Sequence, residues 1–284
     1  MVSEIKNLQK VCIHSITTKP LGFELACAKS GARGVTGIRI WGDAVAGIRP
    51  RKVINCLKNN DLSAVSYVRG GFFPAMEAER RAAAIDDNLL MLQEAAEMEI
   101  PMLVLVCGAE PGQPLQTSRE QIKAGIETIL PRARELQVKL AIEPLHPMYA
   151  DTRSAITSLK QANDLAEYFQ DEYLGVAVDV YHLWFDADLE QQIRRCGKNR
   201  KLFAYHICDW KVPTTDMLND RGLMGEGCIP LPQIRAWVEE AGFTGFHEVE
   251  IFSTRFWESD QDQFLDKIVN AYPVSYTHLR AHET

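Results

Sequence analysis

Several apolar runs in the second half of the chain end on ionisable residues. Leu140-Ala141-Ile142 leads into Glu143, with His146 three residues on. Val176-Ala177-Val178 leads into Asp179, with His182 three on, and Phe203-Ala204-Tyr205 leads into His206, with Asp209 three on. A fourth run, Gly245-Phe246-His247-Glu248-Val249-Glu250, carries two glutamates that share one face of a strand. Charged groups are almost never buried unless they are paired or bind a metal. Three carboxylates and an imidazole at neighbouring strand ends would repel one another, and a divalent cation removes the conflict. Such an oxygen-rich set suits Mn2+, Mg2+ or Co2+, with Mn2+ the leading expectation and Zn2+, which favours thiolates in structural sites, still open. The chemistry open to such a site is proton abstraction beside a carbonyl, because a divalent ion on neighbouring oxygens stabilises the enediolate.

Strands are expected near Val11–Ile16, Val35–Trp41, Ser63–Val68, Met102–Val106, Val138–Ile142, Leu174–Val178, Leu202–Tyr205 and Gly245–Val249. They are continuous apolar runs, as parallel strands buried on both faces require. Helical patterns lie at Pro74–Glu99, Thr152–Phe169, Leu189–Cys196, Pro232–Ala241 and Asp260–Ala271. Another at Ser118–Glu135 opens with Ser118 and Gln121 spaced as a capping box. Alternation without a linker predicts one (β/α)8 TIM barrel over residues 1–273, with chemistry at the carboxyl ends of its strands. A doubly wound open sheet would carry a glycine-rich phosphate turn after its first strand, and here His14-Ser15-Ile16-Thr17-Thr18 follows instead.

The 31 basic and 38 acidic residues leave a formal charge of −7, which argues against a nucleic-acid partner. Seven cysteines without a Cys-x-x-Cys pair imply a reducing compartment. No secretory pattern opens the chain, and the longest apolar stretch, Met102–Cys107, is far too short for a membrane span. A cytoplasmic protein with no membrane partner is therefore expected. Residues 274–284 continue no barrel pattern and read as a non-native tail.

The stretches Ala141-Ile142-Glu143-Pro144-Leu145-His146-Pro147, Asp179-Val180-Tyr181-His182, His206-Ile207-Cys208-Asp209 and Gly245 through Phe252 resemble the sugar isomerase/epimerase family of xylose isomerase-like barrels. Ketose 3-epimerases, inosose dehydratase and isomerase, and hydroxypyruvate isomerase belong to it. The resemblance follows strand order over residues 11–272 and is specific over strands five to eight. It implies one divalent ion on Glu143, Asp179, His206 and Glu250. Glu250 is preferred over Glu248 because the family's last ligand lies five residues after a glycine, here Gly245. It also implies substrate contacts from His182 and from Arg221.

On this reading Glu143 and Glu250 flank the metal as base and acid for a small sugar or polyol. Return of the proton at the same carbon gives epimerisation, return at the next gives isomerisation, and loss of a β-hydroxyl gives dehydration. The loop from His206 to Arg221 is longer than in the 3-epimerases, and Trp210–Asn219 is expected to reshape the pocket. Trp41, Arg69 and His146 also stand near strand ends and are candidates to line the mouth. Rim packing for Trp41 and a surface ion pair for Arg69 are equally open. His14 and His247 are read as structural because each falls inside an expected strand. An endonuclease IV-like phosphodiesterase would need a basic face and more ligands, and a non-catalytic sugar-binding barrel would not need the ligands at all. A homodimer or homotetramer is expected from the frequency of closed assemblies.

Overall fold

The computed structural model describes residues 8–275 of the chain. The barrel strands are β1 (Val11–His14), β2 (Gly37–Trp41), β3 (Ser63–Gly71), β4 (Met102–Val106), β5 (Lys139–Glu143), β6 (Leu174–Asp179), β7 (Leu202–Ile207) and β10 (His247–Val249). Between β7 and β10 lies a short antiparallel pair, β8 (Asp209–Trp210) with β9 (Arg221–Gly222). Every barrel strand pairs in parallel, and β10 joins both β7 and β1, so the sheet closes on itself. The open, doubly wound alternative is excluded, and the expected (β/α)8 barrel forms as a single domain. The tail expected at 274–284 lies outside the described residues, except that Val274 and Ser275 belong to a terminal 3-10 turn.

The connecting helices are α1 (Phe23–Gly31), α2 (Gly42–Val45), α3 (Pro50–Asn59), α4 (Ala78–Glu97), α5 (Leu115–Glu135), α6 (Leu159–Phe169), α7 (Val180–Leu183), α8 (Leu189–Lys198), α9 (Leu231–Glu240), α10 (Thr254–Trp257) and α11 (Gln261–Ala271). The sequence patterns missed α1 and α3. In α3 only Val53, Ile54 and Leu57 are buried, a narrow stripe in a cationic segment that follows Pro50 at its first position. The capping box at Ser118 is corrected: α5 starts at Leu115 behind Pro114, and Ser118 is buried within the helix. There Gln121 Oε1 accepts from the Ala75 N–H instead. The helix expected from Thr152 begins at Leu159, where Ser158 Oγ accepts from the Gln161 N–H as its cap. The residues before it are held elsewhere, with Ser154 bridged to Gly108.

Period-two alternation sorts each barrel strand into two faces. Ile13, Ile38, Ile40, Leu103, Leu105, Leu140, Ile142, Val176, Val178 and Ile207 point outward into the apolar layer beneath the helices. On β5, β6 and β7 the inward positions of the lower barrel are small, where Ala141, Ala177 and Ala204 cluster with Val68, Met102 and Val104. One pleat higher on the same face stand Glu143, Asp179 and His206. Small residues below and ionisable residues above is the arrangement that lets a polar group sit inside a closed barrel.

Candidate metal centre and active site

Register brings the ionisable residues together. His206 is the Cα partner of both Asp179 on β6 and Glu248 on β10, and Glu143 pairs with Val106 at the end of β4. Glu250, two residues past Glu248, is the next inward position, and its N–H still donates to the Ile207 carbonyl at 3.1 Å. Glu143, Asp179, His206 and Glu250, all buried, each offer a ligand atom within 4.8 Å of the others. His206 Nδ1 faces this group, 3.0 Å from Glu143 Oε1 and 3.9 Å from both Asp179 Oδ2 and Glu250 Oε2. Asp179 divides its carboxylate: Oδ1 accepts from the Tyr181 N–H at 2.7 Å and caps α7, which leaves Oδ2 for the centre.

Glu248 also points inward but belongs to a second group beneath the first, with His14 and His206. Its Oε2 accepts from Ser66 Oγ at 3.2 Å and lies 3.4 Å from His14 Nε2. His14, read from the sequence as structural within a strand, instead stands at a strand end against the cluster. β1 ends on it, and its Nδ1 stands 3.1 Å from Glu250 Oε1. Arg39, fully buried on β2, adds a fixed positive charge between the groups. Its Nη1 contacts His206 Nε2 and lies 3.8 Å from Glu248, and its Nη2 lies 3.7 Å from Glu143. His247 points outward, where its Nδ1 bonds the Tyr272 hydroxyl at 2.9 Å.

The electrostatics of the cluster favour positive charge. Burial and Arg39 both oppose a proton on His206, yet Glu143 and Glu248 outweigh them and raise its pKa to about 10. Burial would raise Glu250, but His14 and Arg221 outweigh it and hold the carboxyl well below its usual range. A site that keeps a proton on a buried imidazole against desolvation and a neighbouring guanidinium is one that a cation fits. The donors, three carboxylates and an imidazole, are chemically those of a hard or borderline divalent ion.

A cavity opens above the cluster, walled by Trp41, Glu143, His182, Arg221, Glu250 and Phe252. Arg221 arrives on β9, where its Nη1 donates to Glu250 Oε2 at 3.1 Å and its guanidinium lies 4.2 Å over the Tyr181 ring. His182 Nε2 is 3.3 Å from Arg221 Nη2 and 3.6 Å from Asp179 Oδ2. Burial lowers the His182 pKa to about 3, so the ring is neutral, and its Nδ1 is buried without a partner among the described residues.

Of the residues expected at the mouth, Trp41 and Arg69 line the cavity and His146 does not. His146 caps the 3-10 turn Pro147–Tyr149 by accepting from the Met148 N–H, and its ring packs 4.5 Å from Phe185. The surface ion pair considered for Arg69 is absent among the described residues. The long loop after His206 folds over the mouth through the β8–β9 ladder and brings Leu218 to the cavity. Sequence reasoning missed Arg39, Tyr149 and Arg153. A cation in the apolar run Gly37-Ile38-Arg39-Ile40-Trp41 was a readable signal for the first. The others sit in loops, where no periodicity points.

Residues 24–268 match the family described as the xylose isomerase-like TIM barrel, and the chain belongs to that family. It is similar to an inosose isomerase of Halalkalibacterium halodurans, 23% identical over 62% of this chain and 61% of that one. It resembles another from Bacillus licheniformis, 24% identical over 52% of this chain and 53% of that one. The matched stretches thus span little more than half the length of these relatives. A crystal structure of a Sinorhizobium meliloti protein is 44% identical, with a TM-score of 0.90 over 94% of this chain and 98% of that one. The IolI protein with a bound zinc atom (16% identity, TM-score 0.82, 94% and 98% covered) shares the fold. So does D-psicose 3-epimerase in the presence of D-fructose (17%, 0.75, 94% and 98%).

Proposed function

We propose that this protein is a divalent-metal-dependent isomerase or epimerase of a small sugar or polyol. The observation that carries the reading is the buried group of Glu143, Asp179, His206 and Glu250 beneath a cavity that His182 and Arg221 also line. Those four residues would hold the ion. The ion, when bound, supplies the positive charge that makes an enediolate accessible. Mn2+ suits the donors best, and the zinc named for the IolI structure keeps Zn2+ in view.

The rest is work for the chain's own side chains. Glu143 and Glu250 stand on opposite sides of His206 in the strand order β5, β6, β7, β10, so one takes a proton from a carbon between them and the other returns one. Arg221 pairs with both Glu250 and Asp179, and so keeps Glu250 ionised and oriented as the base. Neutral His182 offers a nitrogen to a substrate hydroxyl. Dehydration of a keto-polyol at the same site is the second reading, because it begins with the same proton abstraction; the inosose isomerase relatives favour the first.

The test is solvent-deuterium uptake by ketohexoses, inososes, hydroxypyruvate and 3-keto sugars incubated with Mn2+-loaded protein. Uptake into at least one substrate is expected. Glu143→Gln and Glu250→Gln should each lower it by about a hundredfold or more while the fold persists. Near wild-type uptake in either variant rules out the two-glutamate scheme.

A further inference from the structure

The wall of the cavity carries two arginines that the acidic cluster does not neutralise. Arg69, on β3, and Arg153, in the turn before α6, both line it with Trp41, Tyr149 and Leu218. The third lining arginine, Arg221, is already paired with Asp179 and Glu250. By contrast, neither the Arg69 nor the Arg153 guanidinium forms an ion pair or a hydrogen bond among the described residues. Asp43 acts on Arg69 only from beyond ion-pair distance. Each guanidinium is instead ordered by aromatic rings. Arg69 lies 5.1 Å from the Phe72 ring centre and 5.8 Å from that of Trp41, and Arg153 lies 5.5 Å from that of Tyr149. Stacking engages the flat face of a guanidinium and leaves its N–H edge for an acceptor.

The two charges are close enough to oppose one another. Arg69 is exposed at the rim, and its partial burial there, and then Arg153, hold its pKa below the ordinary value. A neutral polyol does not answer this arrangement. Its hydroxyls both donate and accept, whereas guanidinium only donates, so a neutral ligand that displaces the water reaching exposed Arg69 and half-buried Arg153 leaves part of their donor capacity unmatched. An anionic oxygen cluster accepts from both forks at once.

On the reading that Glu143 and Glu250 face the reacting carbons, we infer that the substrate is an anionic sugar derivative whose far end bears a carboxylate or phosphate held by Arg69 and Arg153. The experiment is binding calorimetry on the full chain, with and without Mn2+. It uses D-fructose, D-fructuronate and D-fructose 6-phosphate, three ketoses that differ at one terminal carbon. At least one anionic ketose is expected to bind about tenfold or more tightly than D-fructose, and the tighter of the two identifies carboxylate or phosphate. Arg69→Gln and Arg153→Gln should each weaken that ligand about tenfold and D-fructose by less than about threefold, with unchanged melting temperature. Equal affinity for the three ketoses, no affinity for either anion, or a preference that survives both substitutions overturns the proposal. Deuterium uptake is followed in the same samples. Tight anion binding with no uptake by these ketoses or by any compound of the wider panel upholds the anionic substrate and sinks the enediolate reading, and uptake with D-fructose bound as tightly as the anions does the reverse.

Discussion

Arg39 is the residue on which the balance of charge inside the barrel turns. It is fully buried, and Glu248, Glu143 and His206 all stand within reach of its guanidinium. Removing one partner of a buried ionic set leaves the others uncompensated, which costs about 3–5 kcal/mol. Arg39→Met should therefore lower the stability of chelator-treated protein by that amount in urea denaturation. Because a divalent ion would restore the missing positive charge, added Mn2+ should raise the melting temperature of the variant more than that of the wild type. An equal rise in both would mean that Arg39 does not share the cluster's field.

At the scale of elements, the loop between β8 and β9 is pinned over the mouth by aromatic residues from two other connections. Tyr149 and Tyr181 both donate their hydroxyls to the Met217 carbonyl, at 2.7 and 2.8 Å, and Trp210 stacks on Tyr181 at 4.7 Å. Those bonds hold Leu218 against the cavity. Net hydrogen bonds of this kind contribute about 1 kcal/mol each. Replacing both tyrosines by phenylalanine is expected to raise KM several-fold on whichever substrate takes up deuterium, with a smaller change in kcat. A fall in kcat alone would assign the loop to chemistry rather than binding.

The terminal turn is tied down differently, through the Tyr272 hydroxyl on His247. Burial, then Arg235 and Lys10, lower the His247 pKa to about 3, against an ordinary value of 6.5. The unfolded chain therefore takes up a proton that the folded state refuses. The stabilisation is complete above pH 6.5 and is lost as pH falls through the window from 6.5 towards 3. Between pH 7 and pH 5 the loss from this one group is about 2 kcal/mol. His247→Gln should be less stable at pH 7 but should flatten the decline by that amount, as read by urea denaturation at each pH. Parallel wild-type and variant curves would refute the assignment.

For the whole molecule, the closed barrel makes the candidate site a property of the fold, since its residues come from β1, β2, β5, β6, β7 and the strand that closes the sheet. A ligand that binds only the assembled site stabilises the entire domain by mass action, by about 2.7 kcal/mol at a hundredfold excess over Kd. Mn2+ should accordingly raise the melting temperature of chelated protein by several degrees, whereas unchanged melting across Mn2+, Mg2+, Co2+ and Zn2+ would argue that the cluster holds no ion. No helix among the described residues is long and apolar enough to cross a membrane.

Much of this was open to reading from residue order alone. Glu143, Asp179 and His206 each follow an apolar run, so a period-two face and a strand end locate them without coordinates. Strand periodicity alone left Glu248 and Glu250 equivalent; the choice of Glu250 came from its spacing after Gly245 in the family resemblance, and the place of His14, within reach of both glutamates, was not open to either reading. Both glutamates share one strand face, and only the register of β10 against β7 sets which level each occupies. His14 was read as interior to a strand because nothing local says that β1 stops there; its backbone pairing with β2 ends at the Arg39 level. His146 stands three residues beyond Glu143 just as His182 does beyond Asp179, yet a proline-led 3-10 turn carries one ring away and α7 carries the other inward. Sequence by itself determined the barrel and the chemical type of its mouth, because strand periodicity and charge are local properties. Tertiary structure alone decided which charges meet, because barrel closure and the fold of long loops bring together residues far apart in the chain, such as Arg69 and Arg153.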